Sequence, residues 1–417
     1  MVSFDFDCVV VGAGAAGLLA AARLAERGKR TLLLEKNPRP GVKILMSGGT
    51  RCNLTHDCDR AGIMQAFGRN GRFLHSALAA LGPRELIELF ELEGVGTKVE
   101  PGGKIFPVSD RATDVLDALL RRFDRSGATL ALGEPLTSLS ATGDGVTLTT
   151  PQRTIHAGNV LITTGGQSYP RSGTRGDGYR WAVELGHTIV TPRPALTPLV
   201  VELPWLRELQ GVTVPDMVLS VIELPAEGST KPRTLVERRG SLLFAHFGLT
   251  GPTALDVSRE VSGHAELSRL RLVCDFWTAA SAEQLDARLR DAATTAGKKQ
   301  VAGLLADELP RRLIEALFEQ VHLPLDRRAA ELGKAERQRI VDVVKRQQLP
   351  VHGTRGFGKA EVTAGGVSLD EIDSRTMQSK LVPNVYFAGE VLDLDGWIGG
   401  YNFQAAFSTG WLAAERM

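Results

Sequence analysis

The chain has 417 residues, a formal net charge of +1, 43% hydrophobic and 23% charged residues. That length exceeds what one small core serves, so two or three domains are expected. The near-neutral balance gives no global field for nucleic acid or an anionic membrane and leaves only a local basic face open. Cys8, Cys52, Cys58 and Cys274 form no C-x-x-C pair and no zinc spacing; they read as reduced thiols of a cytoplasmic protein without a metal site. Asp5 and Asp7 precede the first apolar run, which argues against a signal peptide. Turn glycines and Arg23 interrupt that apolar stretch, so no membrane span is expected.

Residues 7 to 35 organise the chain. Cys8 to Val11 is a short apolar, mostly β-branched run, expected as a strand. Gly12, Gly14 and Gly17 follow in a G-x-G-x-x-G pattern. Ala15 to Arg27 carries apolar residues at helical spacing, and Gly28 suits the turn that ends it. Thr31 to Leu34 is a second apolar strand, closed by Glu35 with Lys36 beside it. Gly12 permits the tight turn, Gly14 lets a pyrophosphate approach the backbone, and Gly17 lets helix and strand pack. The helix start at Ala15 and Ala16 presents free N–H groups to phosphates. Glu35, about 20 residues on, is placed to accept hydrogen bonds from an adenosine ribose. A strand before the glycines, a helix after them and an acid at this distance make the pattern a dinucleotide fingerprint.

Residues 36–56 are a polar, glycine-rich loop. Lys43, Ser47, Gly48, Gly49, Arg51, Cys52 and Asn53 offer backbone N–H groups, a hydroxyl and two cations, a wrap for the rest of a dinucleotide. Helical spacing follows over 73–93, with Pro83 in the first turn of the second helix. A hairpin is expected over 97–108 around Pro101-Gly102-Gly103, a helix from Asp110 to Ser126 and a strand from Thr129 to Leu132. A small antiparallel meander spans 136–163 and runs into Thr164-Gly165-Gly166, which returns the chain beside the cofactor. Gly173 to Gly178 precedes a helix over Tyr179 to Leu185 and could touch phosphate or substrate. It does not follow an apolar strand directly and is no second fingerprint.

The proline-rich stretch from Thr191 marks a boundary. Short strands are expected at Leu199 to Glu202, Val218 to Glu223, Leu235 to Arg238 and Leu242 to Phe247, then a turn into a helix over 247–260 and a strand at Leu270 to Asp275. Residues 281–347 are helical in period with charge signs in near balance, which reads first as a solvated face and second as a weak nucleic-acid surface. The tail supplies a strand into a glycine turn at Ala360 to Val367, a strand into Gly389-Glu390, and Gly399-Gly400 before a helix from Tyr401 to Arg416. Ala405, Ala406, Gly410, Ala413 and Ala414 permit that helix to pack closely. The architecture is therefore α/β. A Rossmann-like parallel-sheet domain is built from residues 1–190 and 361–417. Residues 191–360 are an inserted region with a β-barrel-like part (191–247 and 351–360) and a helical part (248–350).

Four motifs, VVGAGAAG at 10–17, KILMSGGTRCNLTH at 43–56, VTAGGVSLDEIDSRTMQSK at 362–380 and YFAGEVLDLDGWIGGYNFQAAFSTG at 386–410, together resemble the BaiN/YhiN-type flavoproteins, the BaiN/RdsA-like NAD(P)/FAD-dependent oxidoreductases. The motifs bracket the chain, so the resemblance covers essentially its full length. Two departures stand out: Thr50 where a third glycine is usual and His56 where Asn is usual. The resemblance implies resident FAD, a three-part fold and reductase chemistry. It implies that Gly12, Gly14, Gly17 and Glu35 hold the ADP half, and that Lys43, Ser47, Arg51, Cys52 and Asn53 line the flavin and pyrophosphate. Gly389, Glu390 and Asp393 would approach the ribityl chain, and Gly399, Gly400, Tyr401 and Asn402 the isoalloxazine ring. Independently of the family, a helix starting at Tyr401 aims its positive end at whatever precedes it, which suits the negative charge of a reduced flavin.

With no second fingerprint, NADPH or NADH is expected to bind transiently at the flavin's open face, roofed by the inserted region. The leading expectation is reduction of an activated carbon–carbon double bond, with members of the family linked to uridine of ribosomal RNA and to steroid-type enones. Arg327, Arg328, Arg337, Arg339, Lys345 and Arg346 tilt it slightly towards RNA. A flavin-dependent oxidase or hydroxylase, and a flavin-binding protein without turnover, are the other readings. Cys52, Tyr401 and His246 are candidate proton donors, each with a packing role as its alternative. The oligomeric state is left open.

Overall fold

The apolar run Phe6–Val11 is the central strand of a mainly parallel sheet, buried from Cys8 to Val11, the environment that a strand without hydrophobic alternation requires. The computed structural model describes residues 4–225 and 231–417, and the chain divides into two units, Met1–Arg193 with Glu361–Met417, and Pro194–Ala360. In the first unit the central strand pairs in parallel with Thr31–Glu35, Val11 opposite Leu34, and on its other side with Thr154–Ile162, Val11 opposite Ile162. Thr129–Leu132 extends the sheet beyond Thr31–Glu35. The far edge of Thr154–Ile162 is shared between two further partners: its first half pairs antiparallel with the meander strand Gly145–Thr149, and its last residues pair in parallel with Val385–Phe387. That pairing draws the tail of the chain back into the sheet.

The small residues of the tail decide how closely two helices pack. A β-carbon on Gly410 of the helix Tyr401–Arg416 would lie 2.6 Å from the Ala16 carbonyl oxygen of the helix Ala15–Glu26. Arg23 fastens the far end, donating to Glu415 at 2.7 Å while lying 4.7 Å over the Trp411 ring.

The second unit is built on a seven-stranded antiparallel sheet with its own apolar core. Leu270–Asp275 alternates buried and half-buried residues and joins this sheet, with Gln347–Pro350 at its edge. Leu270–Asp275 is the strand expected there and Gln347–Pro350 a further one, both inside the 248–350 part assigned as helical, so the β and α parts of the insertion interleave in sequence. Arg233–Ala245 runs as one strand where two were expected; a bulge between Val214 and Met217 on the neighbouring strand takes up the irregularity beside Gly240. The charged helices over 281–347 are laced to their own unit. Arg327 pairs with Glu336 at 2.7 Å, Arg337 with Asp286 at 3.0 Å, Lys345 with Asp275 at 2.7 Å and Arg346 with Asp342 at 3.1 Å.

One polar cluster in the first unit gives stability a pH dependence. The imidazole of His187 is fully buried, with Nδ1 3.0 Å from Glu371 Oε2 and Nε2 2.8 Å from Ser379 Oγ. Burial holds it below its ordinary value of 6.5, against the smaller opposing pull of Glu371. The unfolded chain therefore binds the proton first as pH falls, so stability is lost from about 6.5 downwards until the folded form is also protonated. The thermal midpoint is expected to drop as pH is taken from about 7 to about 5.5, and His187→Gln to flatten that slope. An equal slope in the variant would remove His187 as its source.

Candidate cofactor site

The first part of the site is the glycine turn. Gly17 packs so closely that a β-carbon there would lie 1.9 Å from the Gly12 carbonyl oxygen, whereas one on Gly14 would meet nothing within 4 Å. The helix that Gly14 caps has no side-chain cap, so its first N–H groups, near Ala15 and Ala16, are available to an anion. Glu35, 9% exposed, accepts from Ala13 N at 2.8 Å and from Asn37 N at 2.8 Å, which fixes the carboxylate against the turn. Lys36 is committed to Asp177, and Asn37 Nδ2 donates to the Ser172 carbonyl at 3.1 Å, so the 170–177 segment lies at the end of the second strand. The Thr164 hydroxyl, beside Gly165, is buried without a hydrogen-bond partner. An open approach at Gly14, free helix N–H groups, an anchored acid and an orphaned hydroxyl fit the ADP half of a dinucleotide.

A half-buried polar node forms the second part. Lys43 Nζ donates to Glu390 and, at 2.7 Å, to Ser168 Oγ. Glu390 Oε1 accepts from Ser168 Oγ at 2.8 Å and from Thr363 N at 2.9 Å. Thr363 Oγ1 in turn accepts from Gln167 N and Ser168 N at 2.8 and 3.1 Å. Gly389 N donates to Thr409 Oγ1 at 3.0 Å, and Asp393 Oδ1 accepts from Gly365 N at 3.1 Å. Four stretches remote in sequence thus meet at one carboxylate. Ser168 and Thr363 were not singled out from the sequence; Thr363 lies in the 362–380 motif and Ser168 just after Thr164-Gly165-Gly166, but no spacing links residues so far apart.

The loop between them is wound left-handed. Gly48, Gly49, Thr50 and Cys52 have φ of 55°, 67°, 70° and 60°. Ser47 Oγ donates to the Ile44 carbonyl at 2.8 Å. Arg51 donates to Glu100 at 2.6 Å and Asp110 at 3.2 Å and lies 4.0 Å over the Phe106 ring, so it fastens the loop to the hairpin of Thr97–Glu100 and Lys104–Pro107. Cys52 is 0% exposed and burial pushes its thiol up to about 12. Thr50 is exposed, and a β-branched residue in this conformation is strained. Thr50→Gly is expected to stabilise the protein by about 1 kcal/mol in a denaturant titration; an unchanged or lowered midpoint would count against strain at this position.

The third part is the start of the C-terminal helix. Gly400 caps it without a side-chain cap. Asn402 Oδ1 accepts from Gly396 N at 2.8 Å, and its Nδ2 donates to the Gly396 and Trp397 carbonyls, so it closes the turn before the helix. With its amide turned to match its neighbours, Asn53 donates to the Ile105 and Thr55 carbonyls and accepts from Gly400 N at 3.1 Å. Thr55 Oγ1 donates to Gln404 Oε1 at 2.6 Å. The Tyr401 ring, 8% exposed, stacks on His56 at 4.5 Å with Trp397 edge-on at 6.1 Å. The RCNLTH and GGYNFQ stretches therefore interlock through their own polar side chains. His246 is exposed in the second unit, edge-on to Phe247.

A family model described as HI0933-like protein Rossmann domain matches residues 6–416. A ribosomal RNA dihydrouridine synthase of Escherichia coli (strain K12) is 33% identical over 98% of this chain and 97% of its own length. A 3-dehydro-bile acid delta(4,6)-reductase of Clostridium scindens is 29% identical over 97% of each chain. Among solved structures, a 3-ketosteroid delta1-dehydrogenase of Sterolibacterium denitrificans aligns over 98% of each chain with a TM-score of 0.49 at 15% identity.

Proposed function

The chain belongs to the HI0933-like Rossmann family and is an FAD-dependent oxidoreductase, and from that premise we propose that it reduces an activated carbon–carbon double bond, with uridine of ribosomal RNA as the substrate and NADPH or NADH as the electron donor. The observation that carries this reading is the match, over nearly the whole of both chains, to a relative named for dihydrouridine synthesis. The whole-length likeness to a bile-acid reductase supports the second substrate class, a steroid-type enone. Both are electron-poor alkenes conjugated to a carbonyl, so one hydride and one proton complete either reduction.

When bound, FAD supplies hydride transfer, and the protein supplies binding, orientation and charge. In this reading the glycine turn and Glu35 hold the ADP half. The Lys43–Ser168–Glu390 node flanks the middle of the cofactor, and the N-terminus of the helix Tyr401–Arg416 faces the ring end. The uncapped N–H groups there favour negative charge. The substrate's proton comes from Tyr401 or from water, because Cys52 has no exposed surface and its thiol is held high. The paired state of Arg327, Arg337, Lys345 and Arg346 leaves those cations less able to neutralise phosphate, so recognition of RNA does not rest on them. Among the described residues no helix is long and apolar enough to cross a membrane, in keeping with work in the cytoplasm.

The test is anaerobic reduction of the FAD-loaded protein with NADPH or NADH, followed by addition of ribosomal RNA or a steroid enone. Reoxidation by RNA with a two-hydrogen mass gain on a uridine is expected. Reoxidation by the enone alone would move the assignment to the small-molecule class. Rapid reoxidation by oxygen with a hydroxylated product would overturn the reductase reading.

A further inference from the structure

The peptide unit joining Gly399 to Gly400 is gripped at both ends by side chains of the 53–56 stretch. His56 Nδ1 lies 3.0 Å from the Gly399 carbonyl oxygen. A carbonyl can only accept, so Nδ1 carries the proton in this contact. At the other end of the same peptide, the Asn53 amide oxygen accepts from Gly400 N at 3.1 Å. The next carbonyl, that of Gly400, takes the first helical bond from Gln404 N at 3.0 Å. The plane of this one peptide therefore sets the direction in which the C-terminal helix begins.

His56 is itself held firmly. Its backbone pairs with Lys104 in the sheet of Thr55–His56 with Lys104–Pro107, and Asp57 N donates to the Gly103 carbonyl at 2.7 Å. A β-carbon on Gly103 would lie 2.5 Å from His56 Nε2, and the opposite edge of the ring meets Gly399. The imidazole also stacks on Tyr401, the first residue of the helix, at 4.5 Å with 20° between the planes. Gly399 and Gly400 have φ of 132° and 93°, a stretch of backbone with no regular ladder to fix it. The constraint has to come from side chains.

We propose that His56 is a positioning residue for the flavin-ring end of the site: its Nδ1–H holds the Gly399–Gly400 peptide in the plane that aims the helix N–H groups at the ring. This rests on the flavin reading above. Two properties of the imidazole separate cleanly by substitution. Asn places an amide nitrogen close to where Nδ1 sits but cannot stack; Phe stacks but cannot donate.

The experiment measures FAD release by fluorescence and the flavin midpoint potential in FAD-loaded wild type, His56→Asn and His56→Phe. His56→Phe is expected to weaken FAD retention about tenfold, as loss of a buried donor to a carbonyl would, and to lower the midpoint potential. His56→Asn should keep FAD retention within about threefold of wild type and leave the midpoint potential in place. His56→Gln, whose amide reaches too far, is expected to behave as the Phe variant and replaces it should that protein not accumulate. Retention and potential unchanged in His56→Phe would overturn the proposal, as would damage in His56→Asn equal to that in His56→Phe, which would assign the effect to stacking. Wild-type protein that takes up no FAD would overturn the flavin reading itself, an outcome visible before any variant is compared.

Discussion

Gly17→Ala is expected to cost the fold about 3 kcal/mol or more and to abolish retention of FAD. The added methyl would sit 1.9 Å from the Gly12 carbonyl oxygen and 2.6 Å from Thr163 Oγ1. The first of these is backbone, in the turn that leads from the central strand into the helix, and it cannot give way without moving both. Gly14→Ala separates fold from binding. A β-carbon at Gly14 meets nothing within 4 Å, so that variant should unfold at the wild-type midpoint yet, on the proposed placement of the pyrophosphate, lose affinity for FAD at least about tenfold. Thermal denaturation followed beside flavin absorbance reads both effects. A Gly17→Ala protein with the wild-type midpoint would mean that helix and strand can separate without cost.

The second large effect is expected at Lys43. Its side chain is 26% exposed and that of its partner Glu390 17%, so the pair is mostly but not wholly withdrawn from water. Lys43→Met keeps the length of the side chain and removes the cation. Glu390 is then left with the Ser168 hydroxyl and the Thr363 N–H as its donors. Breaking a fully buried pair costs about 3–5 kcal/mol, and the residual exposure brings the expectation here to about 2–3 kcal/mol. Glu390→Gln on the Lys43→Met background should recover about 1 kcal/mol or more of that loss, because the double variant no longer strands a charge. Denaturant midpoints of the four proteins give the coupling directly. Strict additivity would show that the two groups do not stabilise one another.

The two predictions differ in how far the residues alone foretell them. Gly17 is assigned its packing role by the G-x-G-x-x-G spacing, because a turn between a strand and the helix that follows is a local object, and local geometry is written in neighbouring residues. The same holds for the central strand, the hairpin over 97–107, the meander and the helix at Tyr401, each marked by periodicity or by turn residues. Lys43 could be read as a cofactor residue from its polar glycine-rich loop, Glu390 only through the family motifs. Their partnership with each other, and with Ser168 and Thr363, is a consequence of the tail strand Val385–Phe387 pairing beside Thr154–Ile162. No spacing along the chain encodes that encounter.

Arg51 illustrates the same limit from the other side. A cation beside glycines reads as an anion ligand, yet its guanidinium is occupied by Glu100 and Asp110 and lies on Phe106. The hairpin that carries Glu100 and Phe106, with Asp110 just beyond it, lies some fifty residues on, by the position of Glu100. Four of the six cations of the inserted region follow suit: the number and sign of the charges were legible, but Arg327, Arg337, Lys345 and Arg346 are each taken by a carboxylate of the folded chain.

By itself, then, the amino-acid sequence determined the class of the fold, the position of the glycine turn and the family, because each rests on short-range chemistry or on long contiguous motifs. The tertiary structure alone decided which polar groups are already satisfied by one another. It closed the Lys43–Ser168–Glu390–Thr363 node, clamped the Gly399–Gly400 peptide between His56 and Asn53, and withdrew Cys52 from any exposed surface. The physical reason is that hydrogen bonds and ion pairs act over a few ångströms of space, while a sequence records only distance along the chain.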